Sequence, residues 1–222
     1  MRINGAFFAA AAAVTVLTAC NGGGGGGDAA PVETSASMTF PLAKGNANFV
    51  TSGGTYQAIA SGTVNGYDIG GTITLAYGNA TPSTYNGAST LSVTVTDAGT
   101  LTSGKDVAIP MASTSVYHYN PSNYMLVGGG NDSDDFMDVT SGFSALPSSV
   151  KIGDTAVVGT YDEYSDKAKT NKTRSCQVSY LVEPQGASTA VINQIDRCNN
   201  IKENYNESYQ TRFSIDTFGS MK

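Results

Sequence analysis

His118 is the single histidine of the chain, set between Tyr117 and Tyr119 and followed by Asn120-Pro121. As the base of a serine hydrolase it would need a nucleophile, and the sequence has no Gly-x-Ser-x-Gly elbow and no serine set apart from its many others. A catalytic zinc would need further imidazole, carboxylate or thiolate ligands, and only one imidazole exists. His118 therefore reads as a structural or surface residue. The densest acidic stretch, Asn131-Asp132-Ser133-Asp134-Asp135, follows three glycines and offers oxygen atoms at alternating positions, which suits Ca²⁺. It lacks the turn glycine and closing glutamate of a known calcium loop, so Asp132, Asp134 and Asp135 form either a solvated polar loop or a cation site. A third group, Asp162-Glu163-Tyr164-Ser165-Asp166 running into Lys167, Lys169, Lys172 and Arg174, puts acids before bases, as expected if the charges pair across a hairpin. With Tyr161 and Tyr164 alongside, the same cations could instead hold an anionic glycan or a phosphate. Tyr117, Tyr119 and Tyr124 are a candidate sugar-stacking group, the first two sharing a face if they lie in a strand. No catalytic motif emerges, so the expectation is a protein that is not an enzyme. Paired aspartates assembled only by folding would leave no mark on the sequence.

These side chains sit in a chain of 222 residues with 14% charged residues, 9% aromatics, no tryptophan and 26 glycines. Such a composition fits one exported, β-rich domain and excludes collagen, coiled coil and multi-span membrane protein, since no apolar run approaches the roughly 20 residues of a spanning helix. The formal charge of -6 argues against nucleic acid as a partner, because that binding comes mainly from Lys and Arg on phosphates.

The amino terminus carries an address. Arg2 gives a short charged region, Ala6 to Thr18 an apolar one, and Leu17-Thr18-Ala19-Cys20 follows. This tetrapeptide resembles the lipobox of bacterial lipoproteins. The resemblance implies that residues 1–19 are a signal peptide and that Cys20 becomes the lipidated first residue of the mature protein, with palmitate-like acyl chains as its only covalent cofactor. It also implies a membrane held through lipid rather than spanned, and, with Asn21 next to the cysteine, the outer membrane of the cell envelope. Several acyl chains hold far more firmly than one. Loss of Arg2 would take the formal charge from -6 to -7. Gly22 to Gly27 begin a tether, taken as residues 20–45, in which no side chain can build a core.

With Cys20 assigned to lipid, Cys176 and Cys198 remain as a pair in an oxidising compartment, and a disulfide is expected. Pro184-Gln185-Gly186-Ala187-Ser188 lies midway, so Cys176 to Val182 and Thr189 to Cys198 read as two hairpin arms. The sulfurs then face each other, the α-carbons within the usual 4.4 to 6.8 Å or so. A bulge is expected at Val191-Ile192, where the apolar alternation shifts.

Residues 46–222 read as strands and turns throughout. Ile73, Leu75 and Tyr77 alternate with threonine and alanine, Leu91, Val93 and Val95 with serine and threonine, and Tyr209, Thr211, Phe213 and Ile215 with polar residues. Further runs are Tyr56 to Val64, Val107 to Met111, Ser115 to Tyr119, Tyr124 to Val127 and Thr155 to Tyr161, with no amphipathic helix of three turns. The fold expected is all-β: an antiparallel sandwich or barrel-like meander of at least eight short strands. A seam at 128–149, marked by Gly128-Gly129-Gly130 and Leu146-Pro147-Ser148-Ser149, would divide it if there are two lobes. The phrase Ser61-Gly62-Thr63-Val64-Asn65-Gly66 with Gly70-Gly71-Thr72-Ile73-Thr74-Leu75 is similar to β-sandwich repeats of bacterial surface proteins. The functional expectation is an envelope lipoprotein with a binding or structural role toward a protein or glycan partner, at the cell surface or in the periplasm. A surface adhesin or assembly subunit is the alternative, and an envelope hydrolase a further one.

Overall fold

The computed structural model describes residues 37–64, 67–103, 107–131, 135–201 and 204–222. The chain is all-β and antiparallel, as its period-two patterns predict. Its elements are β1 (Thr39–Phe40), α1 (Leu42–Ser52), β2 (Gly54–Val64), β3 (Tyr67–Tyr77), β4 (Thr81–Tyr85), β5 (Ala88–Ser103), β6 (Val107–Tyr119), β7 (Leu126–Asn131), β8 (Phe136–Val139), β9 (Val150–Lys151), β10 (Thr155–Tyr164), β11 (Lys172–Gly186), β12 (Thr189–Asn200) and β13 (Tyr205–Asp216). Eleven strands form one sheet in the order β13-β12-β11-β10-β8-β7-β6-β5-β3-β2, with β4 also on β5, while β1 pairs with β9. Apart from β3–β5 and β8–β10, where β4 and β9 intervene, neighbours along the sheet are neighbours in sequence, because short turns can join antiparallel strands directly. Asn86 and Gly87, both at positive φ, make the two-residue turn between β4 and β5 that an Asn-Gly pair favours.

The sheet coils around its core without closing into a barrel. Val93 and Val95 point inward and are buried while Thr94 and Thr96 face water, the alternation expected of a half-buried sheet. The two ends of the sheet meet at α1: Phe49 packs on Tyr56 of β2, Tyr77 of β3 and Phe213 of β13. This three-turn helix is a correction to the sequence reading. Its Gly45, Asn46, Asn48 and Thr51 are weak helix formers, and what holds it is tertiary packing: Leu42, Phe49 and Val50 are buried, and Asn46 Nδ2 donates to the Tyr124 carbonyl at 2.9 Å. The fold also begins before the tether boundary at residue 45, since Phe40 and Leu42 are fully buried.

The gap between the Val107–Met111 and Ser115–Tyr119 runs and the seam at 128–149 are not breaks in the sheet. β6 is continuous through Pro110, which pairs with Thr100 of β5. The other flank of β6 pairs with β7 only from Ser115 to Tyr119, so Pro110 sits where a missing N–H leaves no described partner unsatisfied. Gly129 and Gly130 lie within β7, at φ values of 154° and 146°. A Cβ at either would strike a neighbouring strand's carbonyl, of Val116 or Asp135. Across this region β7 and β8 bond to each other and to β6 and β10, so one sheet runs through the seam.

Candidate binding site

The long hairpin β11–β12 is the part of the fold the sequence defined best. Cys176 and Cys198 are directly opposed in its register and joined, with Cα atoms 4.0 Å apart, closer than the separation expected. Both sulfurs sit on the inward face, buried. The register runs without a shift from Arg174 to Pro184, and the irregularity falls between Pro184 and Gly186, not at Val191-Ile192. There the alternation shifts because outward Asn193 is itself buried, donating to Glu183 Oε1 and Gln210 Oε1 at 3.0 and 3.1 Å.

A disulfide in known register dictates what lies on the opposite face. Gln177 stands across from Arg197 and Ser175 across from Asn199, and on β13 Ser208 faces Arg197 and Asn206 faces Asn199. On the other side Thr160 faces Gln177 and Asp162 faces Ser175. These side chains, with Thr140 and Lys172, line an open concavity of about 830 Å³ on the outer face of the sheet, with both cysteines in its floor. Adjacent strands lie roughly 4.8 Å apart, so the residues form a grid of hydroxyls, amides and one guanidinium. At its β10 margin Asp162 is already engaged: Lys172 Nζ donates to it at 2.7 Å and Ser175 Oγ at 2.6 Å. The side chains of Gln177, Arg197, Asn199, Asn206 and Ser208 are exposed and have no hydrogen-bond or ion-pair partner among the described residues.

No protein-family model, no curated protein and no solved structure matches this chain. The site therefore rests on its own chemistry, and the other candidate residues can be placed against it.

The acid-then-base turn does pair across its hairpin, one partner on each face. Arg174 reaches Glu163 on the inward side at 3.0 Å, Lys172 reaches Asp162 on the outward side, and Lys169 reaches Asp138 at 3.0 Å. Lys169, Lys172 and Arg174 are therefore held by carboxylates. Lys169 also donates to Tyr85 Oη at 3.0 Å; burial lowers its pKa, but the hydrogen bonds to Tyr85 and Asp138 outweigh that and leave it raised. His118 is half-buried on the outer face, its ring stacked on Tyr85 at 4.5 Å and its Nδ1 3.3 Å from Thr90 Oγ1. Burial lowers its pKa, favouring a neutral imidazole wedged in a packed cluster. Tyr117 and Tyr119 do share a face, but it is the buried inner one, so they are core residues and offer no platform to a sugar.

Cys20, Asp132 and Asp134 lie outside the described residues. Asp135 is described: its backbone N–H donates to Asn131 Oδ1 at 3.1 Å, and its carbonyl accepts from the Asn131 N–H at 2.9 Å. No group of three or more His, Cys, Asp or Glu side chains among the described residues could hold a metal ion.

Beneath the concavity, on the inner face, lies a polar cluster that sequence patterning missed. Asp196 is buried, accepting from Tyr161 Oη at 3.3 Å and from Gln194 Nε2 at 2.8 Å. Burial, with Glu163 nearby adding to it, pushes its carboxyl up to about 7 against hydrogen bonds that pull the other way. Gln194 Oε1 has no hydrogen-bond partner among the described residues. A proton on Asp196 would supply one, after a flip of the Gln194 amide that keeps the same atom positions.

Proposed function

We propose that this is a lipid-anchored protein of the bacterial envelope, probing its surroundings on a glycine-rich tether, whose domain binds a polar partner in the concavity across β10–β13. The observation that carries the binding reading is the set of five unengaged polar side chains, Gln177, Arg197, Asn199, Asn206 and Ser208, aimed outward from strands whose register a disulfide fixes. A site on rigid strands keeps its geometry before the ligand arrives and so loses less entropy on binding. The chain has no tryptophan, so Ser208→Trp would install a lone fluorophore at the rim of the site, and Thr114→Trp, on the exposed face of β6, a reference. Across a panel of envelope polysaccharides and proteins, a spectral response confined to the Ser208→Trp protein is expected; no response, or an equal one from both, would remove the concavity as the binding site.

The anchoring reading rests on the lipobox resemblance at Leu17-Thr18-Ala19-Cys20. Cys20→Ala removes the sulfur that would be acylated, so the variant is expected as an uncleaved or soluble, unlipidated protein in detergent phase partitioning. Mature size with unchanged partitioning would rule the anchor out. Protease added to intact cells would separate a surface from a periplasmic position.

A second reading, an adhesin or assembly subunit that accepts a strand from a partner, is favoured by the edge at β2. Its register with β3 is unbroken over all its residues, it has no charged residue or proline, and Ile59 is 52% exposed. Natural edges are usually blunted by lysine, proline or a bulge. The opposite edge is covered in part: Ser214 and Lys222 exchange backbone hydrogen bonds at 2.9 and 3.0 Å. Ile59→Lys, which places a charge beside that edge, is expected to reduce concentration-dependent association in sedimentation experiments. Unchanged sedimentation would count against strand addition at β2.

A further inference from the structure

We infer that the concavity takes a saccharide bearing sparse carboxylates, with Arg197 gripping the acid group and the surrounding amides reading the sugar hydroxyls. This rests on the binding reading above and specifies its ligand.

Arg197 offers a planar fork of N–H donors matched to a carboxylate, and it has no carboxylate partner among the described residues. Lys169, Lys172, Arg174 and Arg212 are all paired with acids in the structure. Around Arg197 stand Gln177 and Ser208 on the neighbouring strands and Asn199 two residues on. Each amide both donates and accepts, as needed by vicinal hydroxyls that do both. No aromatic ring is among the lining residues, which disfavours an apolar or ring-stacked ligand and leaves hydrogen bonds as the means of recognition.

Shape and charge narrow the class further. The concavity is open rather than enclosed, so it can receive part of a longer chain. A protein with a formal charge of -6 repels dense polyanions such as nucleic acid or polyphosphate at long range. One unpaired guanidinium can hold one carboxylate at short range, where screening by salt is weakest. A polysaccharide with a carboxylate on some of its units satisfies all of these conditions.

The test uses the full chain in detergent micelles and calorimetric titration with an oligosaccharide of alternating glucuronate and neutral sugar, its carboxyl-reduced counterpart, and inorganic phosphate. The acidic oligosaccharide is expected to bind at least tenfold more tightly than the reduced one. Arg197→Gln should abolish that preference, bringing the acidic oligosaccharide down to the affinity of the reduced one, and Arg197→Lys should keep part of it. Asn199→Ala should weaken both oligosaccharides alike. Equal affinity for the acidic and reduced forms would overturn the carboxylate inference and leave the binding site intact. Phosphate binding as tightly as the acidic oligosaccharide would reduce the site to an anion hole and overturn the saccharide. An acid preference that survives Arg197→Gln would overturn the role of Arg197. Failure of both oligosaccharides to bind would overturn the inference outright, while a response of the Ser208→Trp protein to another partner would keep the concavity as a site.

Discussion

Asp196→Asn is expected to stabilise the protein at pH 8 by about 2 to 4 kcal/mol and to flatten its pH dependence between pH 4 and 7. The carboxyl of Asp196 is held near 7, against 3.8 for an unperturbed aspartate, and each unit of difference corresponds to about 1.4 kcal/mol. The native state therefore binds the proton more tightly than the unfolded chain does. The contribution of this group is fully present below about pH 4 and is lost as pH rises through about 7, so for this residue acidification stabilises. Asparagine keeps the neutral shape, still accepts from Tyr161, and brings an N–H₂ that can reach Gln194 Oε1. Asp196→Ala separates the charge from the hydrogen bonds: it strands Tyr161 Oη and Gln194 and should cost about 1 to 3 kcal/mol at pH 5. Urea denaturation at pH 5, 6.5 and 8 would measure this. Parallel pH curves for Asp196→Asn and the parent would show that the buried carboxyl does not titrate in this range.

Replacing both Cys176 and Cys198 with alanine should lower stability by about 3 kcal/mol or more. A cross-link closing a loop of this length restricts the unfolded chain by about that amount, and the two cysteines are 22 positions apart. Removing two buried sulfurs from beside Tyr161, whose hydroxyl lies 4.0 Å from Cys198 Sγ, adds a packing loss. Because both sulfurs are buried, reductant should open the bond slowly in the native protein and quickly in urea, since access requires local unfolding. Thiol labelling over time reads this directly. Rapid native reduction, or a variant as stable as the parent, would show that the bond adds little to the fold. The loss should be felt on the outer face as well, because the bond holds Gln177 opposite Arg197.

What could be read from the sequence followed from strict local rules. Threonine and valine alternating over 91–96 named their own faces. A turn-rich stretch midway between two cysteines located the β11–β12 hairpin, and acids before bases foretold Asp162 on Lys172 and Glu163 on Arg174. The grid of Gln177, Arg197, Asn199, Asn206 and Ser208 was within reach too, since pairing Cys176 with Cys198 already aligns most of it. It was missed because exposed polar residues on a strand look like ordinary solvent cover until register is applied. Other features lay beyond local reading. Asp196 and Gln194 occupy inward positions where the pattern calls for apolar residues, and Asp196 is satisfied by Tyr161 of β10 together with Gln194 beside it on β12. Helix α1 has poor propensity and is made by contacts with Phe213, Tyr77 and Tyr124, all distant in sequence. The glycines at 128–130 read as a break because glycine usually marks one, and here it lets three backbones lie close.

The meeting of α1 with the far end of the sheet has a consequence for the order in which the fold can be completed. A Cβ at Gly45 would press on Met221 and Ile215, and Asn48 Nδ2 donates to the Gly219 carbonyl at 3.3 Å. A segment synthesised early thus finds part of its packing, beside Tyr56 and Tyr77, only among residues synthesised last. Each strand of the meander can add to the one before it as the chain emerges, but the early helix stays only partly covered until β13 has formed. The final closure of the fold is thereby tied to synthesis of nearly all the chain, since Phe213, Ile215 and Met221 supply the last contacts that cover the helix.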